Sequence, residues 1–398
     1  MASSILVAQL SGYAHFARPS TALQPGFSWL PARASRQSCS RISFPSHVNT
    51  NQHSSAFFFP KLSPRRGQRF VASEDAVQVE KADQYGDETK QVAVNKTPVW
   101  DVLYRLIGPN IFWGSIFGFT GAVARTWIMN PNLVMSSNWT LLVRTLAALS
   151  VCLGIDSFVG PVNQISDADI DKINYPNRPI ISGKISIKSA WVLAISSVIH
   201  CIATSVFLDA KWLLPLVVTD LALGAMYSIR PFYLKKRIAG ALFTCAAMRG
   251  IVLTPLLCAA ACSTLGIPFT ITPSVIFLTI FSTIFGLAFG ILKDLPDLEG
   301  DTKCNVRTLA WILGAQEVTA LGGGLLFLAY SGSIIAGVAF PQMFRPSVMI
   351  PAHFLFAVFL AFQIWKLNKE NYSKVPSKSF YLSLWNLLNA EFLLFPFI

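Results

Sequence analysis

Nine windows of about 20 mostly apolar residues recur along this chain, and a segment of that length and character fits the hydrocarbon core of a bilayer. The windows are 109–129, 139–162, 189–208, 211–228, 238–262, 271–292, 319–340, 347–366 and 380–397. Pro, Gly or Lys marks their boundaries, and Trp127, Trp139, Trp191 and Trp212 fall near their ends, where indole prefers to sit. Backbone polar groups cannot go unpaired in lipid, so windows of this length predict helices. The expected fold is an all-α integral membrane bundle of nine transmembrane helices. Composition agrees: 53% of the 398 residues are hydrophobic and only 13% are charged, against about 25% in soluble domains.

The net charge of +12 first points to a nucleic-acid binder, but its location argues otherwise. Residues 1–73 hold seven Arg, one Lys and 14 Ser, and no Asp or Glu. Arg-rich, Ser-rich and acid-free is the composition of an organelle transit peptide, here of plastid type, with a mitochondrial presequence or a basic tail as alternatives. The remainder has 24 Lys and Arg against 20 Asp and Glu. Most of the basic excess is therefore an address, and no nucleic-acid partner is expected. Residues 74–98 read as a polar, acid-leaning linker, and 99–398 as the membrane domain.

The seven Cys lack paired CxxC spacing, and His200 and His353 are far apart, so a Cys- or His-ligated metal is not expected. Cys152, Cys201, Cys245, Cys258 and Cys262 read as packing residues, Cys304 as a loop residue.

Charge in the membrane domain is concentrated. The loops after the second, fourth and sixth windows, about 163–188, 229–237 and 293–318, are the charged ones. Even numbers of crossings separate them, so they share one side of the membrane. Arg230, Lys235, Lys236 and Arg237 mark it as the stromal or matrix side by the positive-inside rule.

Two of these loops carry acidic motifs. In NQISDADIDK, Asn163, Asp167 and Asp171 stand at i, i+4 and i+8 and fall within about 80° of one helix face, while Asp169 points away. In KDLPDLEGD, Asp294, Asp297 and Asp301 form a similar stripe if the segment is helical, which Pro296 and Gly300 oppose. Carboxylates one turn apart repel unless a cation lies between them. Mg²⁺ suits, because it takes one or two carboxylates with waters and phosphate oxygens. One motif alone could be solvated loop acid; two on one side predict a site for Mg²⁺ and a diphosphate. Lys235 would meet diphosphate oxygens as a point charge and Tyr227 would donate a hydrogen bond, with Arg178, Lys172 and Lys293 as further candidates. The alternative for these cations is topological charge only.

Asp156, Asp220, Arg249 and Glu391 lie inside apolar windows, where charge is costly and functional by default. Asp156 shares a face with Asn163, and Arg249 faces the interior if the fifth window lines it. Asp220 and Glu391 are either functional or paired structural groups. An Mg²⁺-bound diphosphate beside an apolar chamber fits an allylic prenyl diphosphate. Cations stabilise the leaving group, and the dry bundle shields the allylic cation.

With these residues in view, the chain resembles the UbiA superfamily of membrane prenyltransferases from about residue 100 to 398. Asn163, Gln164, Asp167 and Asp171 match NQxxDxxxD, and Lys293, Asp294, Asp297, Glu299, Gly300 and Asp301 match KDxxDxEGD. It is most similar to the plant plastid homogentisate group, in particular its solanesyl-transferring branch. Shared features are MRG at 248–250, the stretch 341–353 and the ending NAEFLLFPFI. The resemblance implies metal ligation by Asn163, Asp167, Asp171, Asp294, Asp297 and Asp301, and catalysis through Asp167, Asp171, Asp297, Asp301 and Lys235. It implies substrate binding by Asn163, Gln164, Tyr227, Lys235, Arg178, Arg249 and Lys293. The implied activity is prenyl transfer to an aromatic acceptor such as homogentisate. Gly108-Pro109, Trp113, Arg230, Tyr233, Asn174-Tyr175-Pro176, Asp156 and Thr254 depart from the group's pattern. A preserved metal motif beside an altered surrounding keeps a membrane terpene cyclase, quenching the cation internally, as the alternative. A carrier that binds prenyl diphosphate without turnover is the third reading.

Overall fold

The computed structural model describes residues 98–132, 139–303 and 306–398. The expected leader, all but Pro98 of the linker, and Cys304 lie outside the described residues. Within them the protein is helical: α1 (Val99–Ile107), α2 (Pro109–Met129), α3 (Trp139–Ser166), α4 (Ala168–Asn174), α5 (Ile187–Leu208), α6 (Leu213–Ser228) and α7 (Ile238–Ala246). A π turn (Ala247–Ile251) leads into α8 (Leu253–Thr264), α9 (Pro273–Leu292), α10 (Leu298–Lys303), α11 (Leu309–Leu313), α12 (Ala315–Ala339), α13 (Pro346–Lys369) and α14 (Lys374–Leu394).

A helix occupies each of the nine apolar windows, and the all-α expectation holds. Length and composition alone support fewer crossings than nine. Six helices qualify, or seven if α1 and α2, bent by 76°, form one broken span. At 16 residues α6 is short, and Lys374, Lys378 and Glu391 dilute α14.

The exposed surface explains why these helices belong in lipid. On α5, the small residues Ala190, Ala194, Ser197, Cys201 and Ser205 are buried, while Val192, Ile195, Ile199 and Val206 are exposed. In water that orientation would be inverted. In a bilayer, where tails are as apolar as Leu, small residues let helices approach and large ones face the lipid. The small stripe packs on α3.

Two departures from straight helices matter. Gly108, at φ +100, breaks α1 from α2, a conformation that side chains rarely adopt. The fifth window, expected to be one helix, is interrupted by the π turn, a distortion that continuous hydropathy does not reveal. Gly250 in that turn lies against Thr283 of α9, where a Cβ would come within 2.3 Å of the Thr283 backbone. Gly250→Ala is expected to force the segments apart at about 1–3 kcal/mol, the range for overpacking. A thermal midpoint in detergent unchanged from wild type would contradict that contact.

Around the interior, α2, α3, α6, α7, α8, α9 and α14 contribute residues to one cavity of about 300 Å³. One apolar core joins α2, α3, α5, α6, α8 and the first turns of α9. A second joins α9, α12, α13 and α14.

Candidate active site

The ends of α3, α6 and α9 carry the three charged loops, and the fold brings several of their candidate residues together. The first motif is not one unbroken helix. α3 stops at Ser166 and α4 begins at Ala168, with Asp167 between them at φ −101, ψ 6. Helical bonding nevertheless bridges the break: Asp167 N donates to Asn163 O (3.1 Å), and Asp171 N to Asp167 O (2.9 Å). Asp169 points away, as expected, and its exposed carboxylate pairs with Lys172. Lys172 is therefore not brought to the site.

The basic loop reaches across. Lys235 lies in a short turn, Leu234–Lys236. Its Nζ is 2.8 Å from Asp167 Oδ1, donates to Asn163 Oδ1 at 2.8 Å and to Ser166 Oγ at 2.5 Å. Burial lowers its pKa below the usual lysine range, against the opposing pull of Asp167. Tyr233, in the left-handed region at φ 43, donates its hydroxyl to Ser166 O. Lys235 also lies 5.9 Å from the Tyr227 ring centroid.

The two acidic motifs are tied by residues just beyond the first. Asn174 Nδ2 donates to Asp297 O at 3.4 Å, and Tyr175 hydrogen-bonds the Asp297 carboxylate. A Cβ on Gly300 would lie 2.2 Å from Asn174 Oδ1, so glycine permits this approach. Arg178 pairs with Asp171 and its guanidinium sits 4.3 Å from the Tyr175 ring centroid. In sequence Tyr175 shows only as part of the departure Asn174-Tyr175-Pro176 beside the motif.

The second motif is not a continuous helix. Turns run through Lys293–Asp297 before α10 begins, as Pro296 foreshadowed. Lys293 pairs with Asp294. Glu299 is exposed and pairs with Lys303 and Lys374 instead of facing the other acids.

Among the described residues, no three His, Cys, Asp or Glu side chains already form a metal cage. The donor set nonetheless fits a hard divalent cation. Asp297 Oδ1 and Asp301 Oδ2 are buried without a partner, a costly state for carboxylates. Burial pushes Asp171 up to about 6 against the pull of Arg178, and Asp297 up to about 6 against the Tyr175 hydrogen bond. Burial and the like charges of Asp294 and Asp297 push Asp301 up to about 7.

These shifts have a definite sign. The metal-free fold holds these protons more tightly than the unfolded chain does, so their effect is to lower stability as pH rises from about 4 through 7. A cation needs the deprotonated form, so its affinity rises over the upper part of that window. Stabilisation by Mg²⁺ in a thermal melt is expected to be several-fold larger at about pH 7.5 than at about pH 5.5. An equal Mg²⁺ shift at both would show that these carboxyls do not hold the ion.

The cavity opens beside this cluster. Asn163, Tyr227 and Lys293 line it, as do Asp156, Asp220 and Arg249. Arg249 sits in the π turn, 4.1 Å from the Trp385 ring centroid and 5.3 Å from that of Phe289. Two expected residues serve elsewhere. Gln164 Nε2 donates to Arg105 O and Leu106 O, both at 2.8 Å, and so fastens α1. Glu391 pairs with His353, both fully buried, at 3.2 Å; of the two open readings, the paired structural one fits it. Asp220 instead faces the cavity.

The model of the UbiA prenyltransferase family matches residues 111–387. Homogentisate solanesyltransferase of Arabidopsis thaliana is 36% identical over 295 residues, 74% of this chain and 76% of that protein. A 2-acylphloroglucinol 4-prenyltransferase of Humulus lupulus is 36% identical over 298 residues, 75% of this chain and 71% of that protein. The solved structure of a UbiA homologue from Archaeoglobus fulgidus, bound to GPP and Mg²⁺, has a TM-score of 0.52 at 18% identity, covering 74% of this chain and 98% of that one. That likeness is one of fold. The chain belongs to the UbiA prenyltransferase family.

Proposed function

We propose that the protein transfers a prenyl group from a prenyl diphosphate to an aromatic acceptor, in a plastid membrane, with Mg²⁺ as cofactor and the active site toward the stroma. The observation that carries the reading is the cluster itself. Lys235 of the basic loop pairs with Asp167 of the first motif, Asn174 and Tyr175 tie that motif to Asp297 of the second, and Asn163 and Lys293 line a mostly apolar cavity. Relatives named for homogentisate and acylphloroglucinol prenylation support the donor and the phenolic class of acceptor. Several of those relatives are chloroplastic, in keeping with the Arg- and Ser-rich leader.

Asp167, Asp171, Asp294, Asp297 and Asp301, with Asn163, would hold the ion, which when bound neutralises diphosphate oxygens. Lys235, Lys293 and Arg178 would take oxygens of the diphosphate as its C–O bond breaks and it leaves with the electron pair. Tyr227 offers a hydrogen bond at the same mouth. The apolar wall excludes water from the allylic carbon. A ring carbon of the acceptor forms the new C–C bond and then loses its proton.

Membranes containing the protein, given Mg²⁺ and geranylgeranyl or solanesyl diphosphate with and without a phenol, test this. A prenylated phenol formed only with both substrates is expected. Hydrocarbon or terpene alcohol as the sole product without acceptor would overturn the reading in favour of a cyclase. Absence of Mg²⁺-dependent diphosphate release would leave only a carrier.

A further inference from the structure

Deep in the cavity lies a second polar group that the diphosphate site does not use. Asp156 is seven residues before Asn163 on α3, on the same face, and only 6% exposed. Its Oδ2 has no hydrogen-bond partner. Ser115 of α2 hydrogen-bonds the same carboxylate. Asp220 of α6, Arg249 of the π turn and Thr254 of α8 line the same cavity. The Thr254 hydroxyl is taken by Arg249 O at 2.8 Å. Two carboxyl groups from separate helices thus face one chamber, and one has a buried oxygen awaiting a donor.

Neither part of the prenyl diphosphate can satisfy that oxygen. The tail has no hydrogen-bond donor, and the diphosphate is itself anionic. The acceptor is the substrate that can bring a hydroxyl. Its position fits. Seven residues of helix rise about 10 Å from Asn163 to Asp156. Both residues line the cavity, so an acceptor ring can lie between Asp156 and an allylic carbon held on the Asn163 side.

Charge narrows the acceptor further. Two carboxyls face one guanidinium, which lies 4.1 Å from the Trp385 ring centroid and 5.3 Å from that of Phe289. A ring bearing its own carboxylate would bring a third acidic group into a dry chamber, where like charges are costly. A neutral ring with two or more hydroxyls would give each carboxyl a donor.

We propose that Asp156 and Asp220 select the acceptor, binding the hydroxyls of a neutral polyhydroxylated aromatic ring and disfavouring a carboxylate-bearing one. This rests on the prenyl-transfer reading above. The role is one of recognition: the carboxyls orient the ring and carry no covalent step.

The test is a competition assay on the full chain in membranes, with Mg²⁺, geranylgeranyl diphosphate, and equal resorcinol and homogentisate. The readout is the ratio of the two prenylated products, which is independent of how much protein folds. Wild type is expected to favour resorcinol. Asp156→Asn and Asp220→Asn, which keep side-chain shape, are each expected to shift the ratio toward homogentisate at least tenfold. A wild type that favours homogentisate overturns the inference, as does a ratio within threefold of wild type in both variants. Diphosphate release with neither ring prenylated would overturn the prenyl-transfer reading itself, a result distinct from these.

Discussion

Asp297→Asn is expected to lower prenyl transfer at least about a hundredfold, the scale seen when one preorganised electrostatic contact to a transition state is lost. Asparagine keeps the shape of the side chain and can still accept the Tyr175 hydrogen bond. It removes the charge that a cation would need from Asp297 Oδ1, the buried oxygen without a partner. The same substitution is expected to leave the metal-free fold at least as stable as wild type. It relieves a carboxyl that burial already pushes up to about 6 and that Asp294 repels. Loss of turnover with an unchanged or raised thermal midpoint is the signature of a ligand, because a merely structural acid would lose both together. Mg²⁺-dependent release of diphosphate within threefold of wild type would remove Asp297 from the proposed ion site.

Much of this was readable in sequence because lipid imposes simple rules. A span needs an apolar length, and the windows around α2, α3, α5 and α9 follow from that requirement. Charge is so costly inside that the few acids mark themselves: Asn163 and Asp167 do meet Lys235, and Asp297 is tied to Asn174 just beyond the first motif. Contacts between distant segments were not readable. Tyr175 reaches Asp297 across more than a hundred residues, and no local pattern encodes that pairing. The sequence leaves Glu391 either functional or paired and points to no partner for it; that partner is His353. Gln164 sits inside the most recognisable motif, but its amide nitrogen fastens α1 to α3. Hydropathy also averages over the π turn, so the distortion that carries Arg249 beside the cavity is visible only in three dimensions. A motif letter specifies a side chain; its partners decide the role.

Lys235→Met should decide whether the basic loop carries chemistry or only topology. Methionine matches the length of the buried stem and removes the ammonium. Three contacts go with it: Asp167 Oδ1, Asn163 Oδ1 and Ser166 Oγ. Hydrogen bonds to charged groups contribute about 1.5–3 kcal/mol. Loss of one made to diphosphate corresponds to about a ten- to hundredfold fall in kcat/KM. The fall should be borne largely by KM for the prenyl diphosphate if the ammonium binds it equally before and during bond breaking, and by kcat if the contact strengthens as the bond breaks. Freed of its counter-charge, Asp167 becomes more available to a cation, so raising Mg²⁺ is expected to restore part of the activity. A purely topological lysine predicts a different result. Arg230, Lys236 and Arg237 remain exposed on the same loop, and they preserve its positive charge whatever stands at position 235. Activity within threefold of wild type would therefore mean that the loop only orients the protein. A loss of tenfold or more, partly reversed by Mg²⁺, would place the ammonium on the substrate.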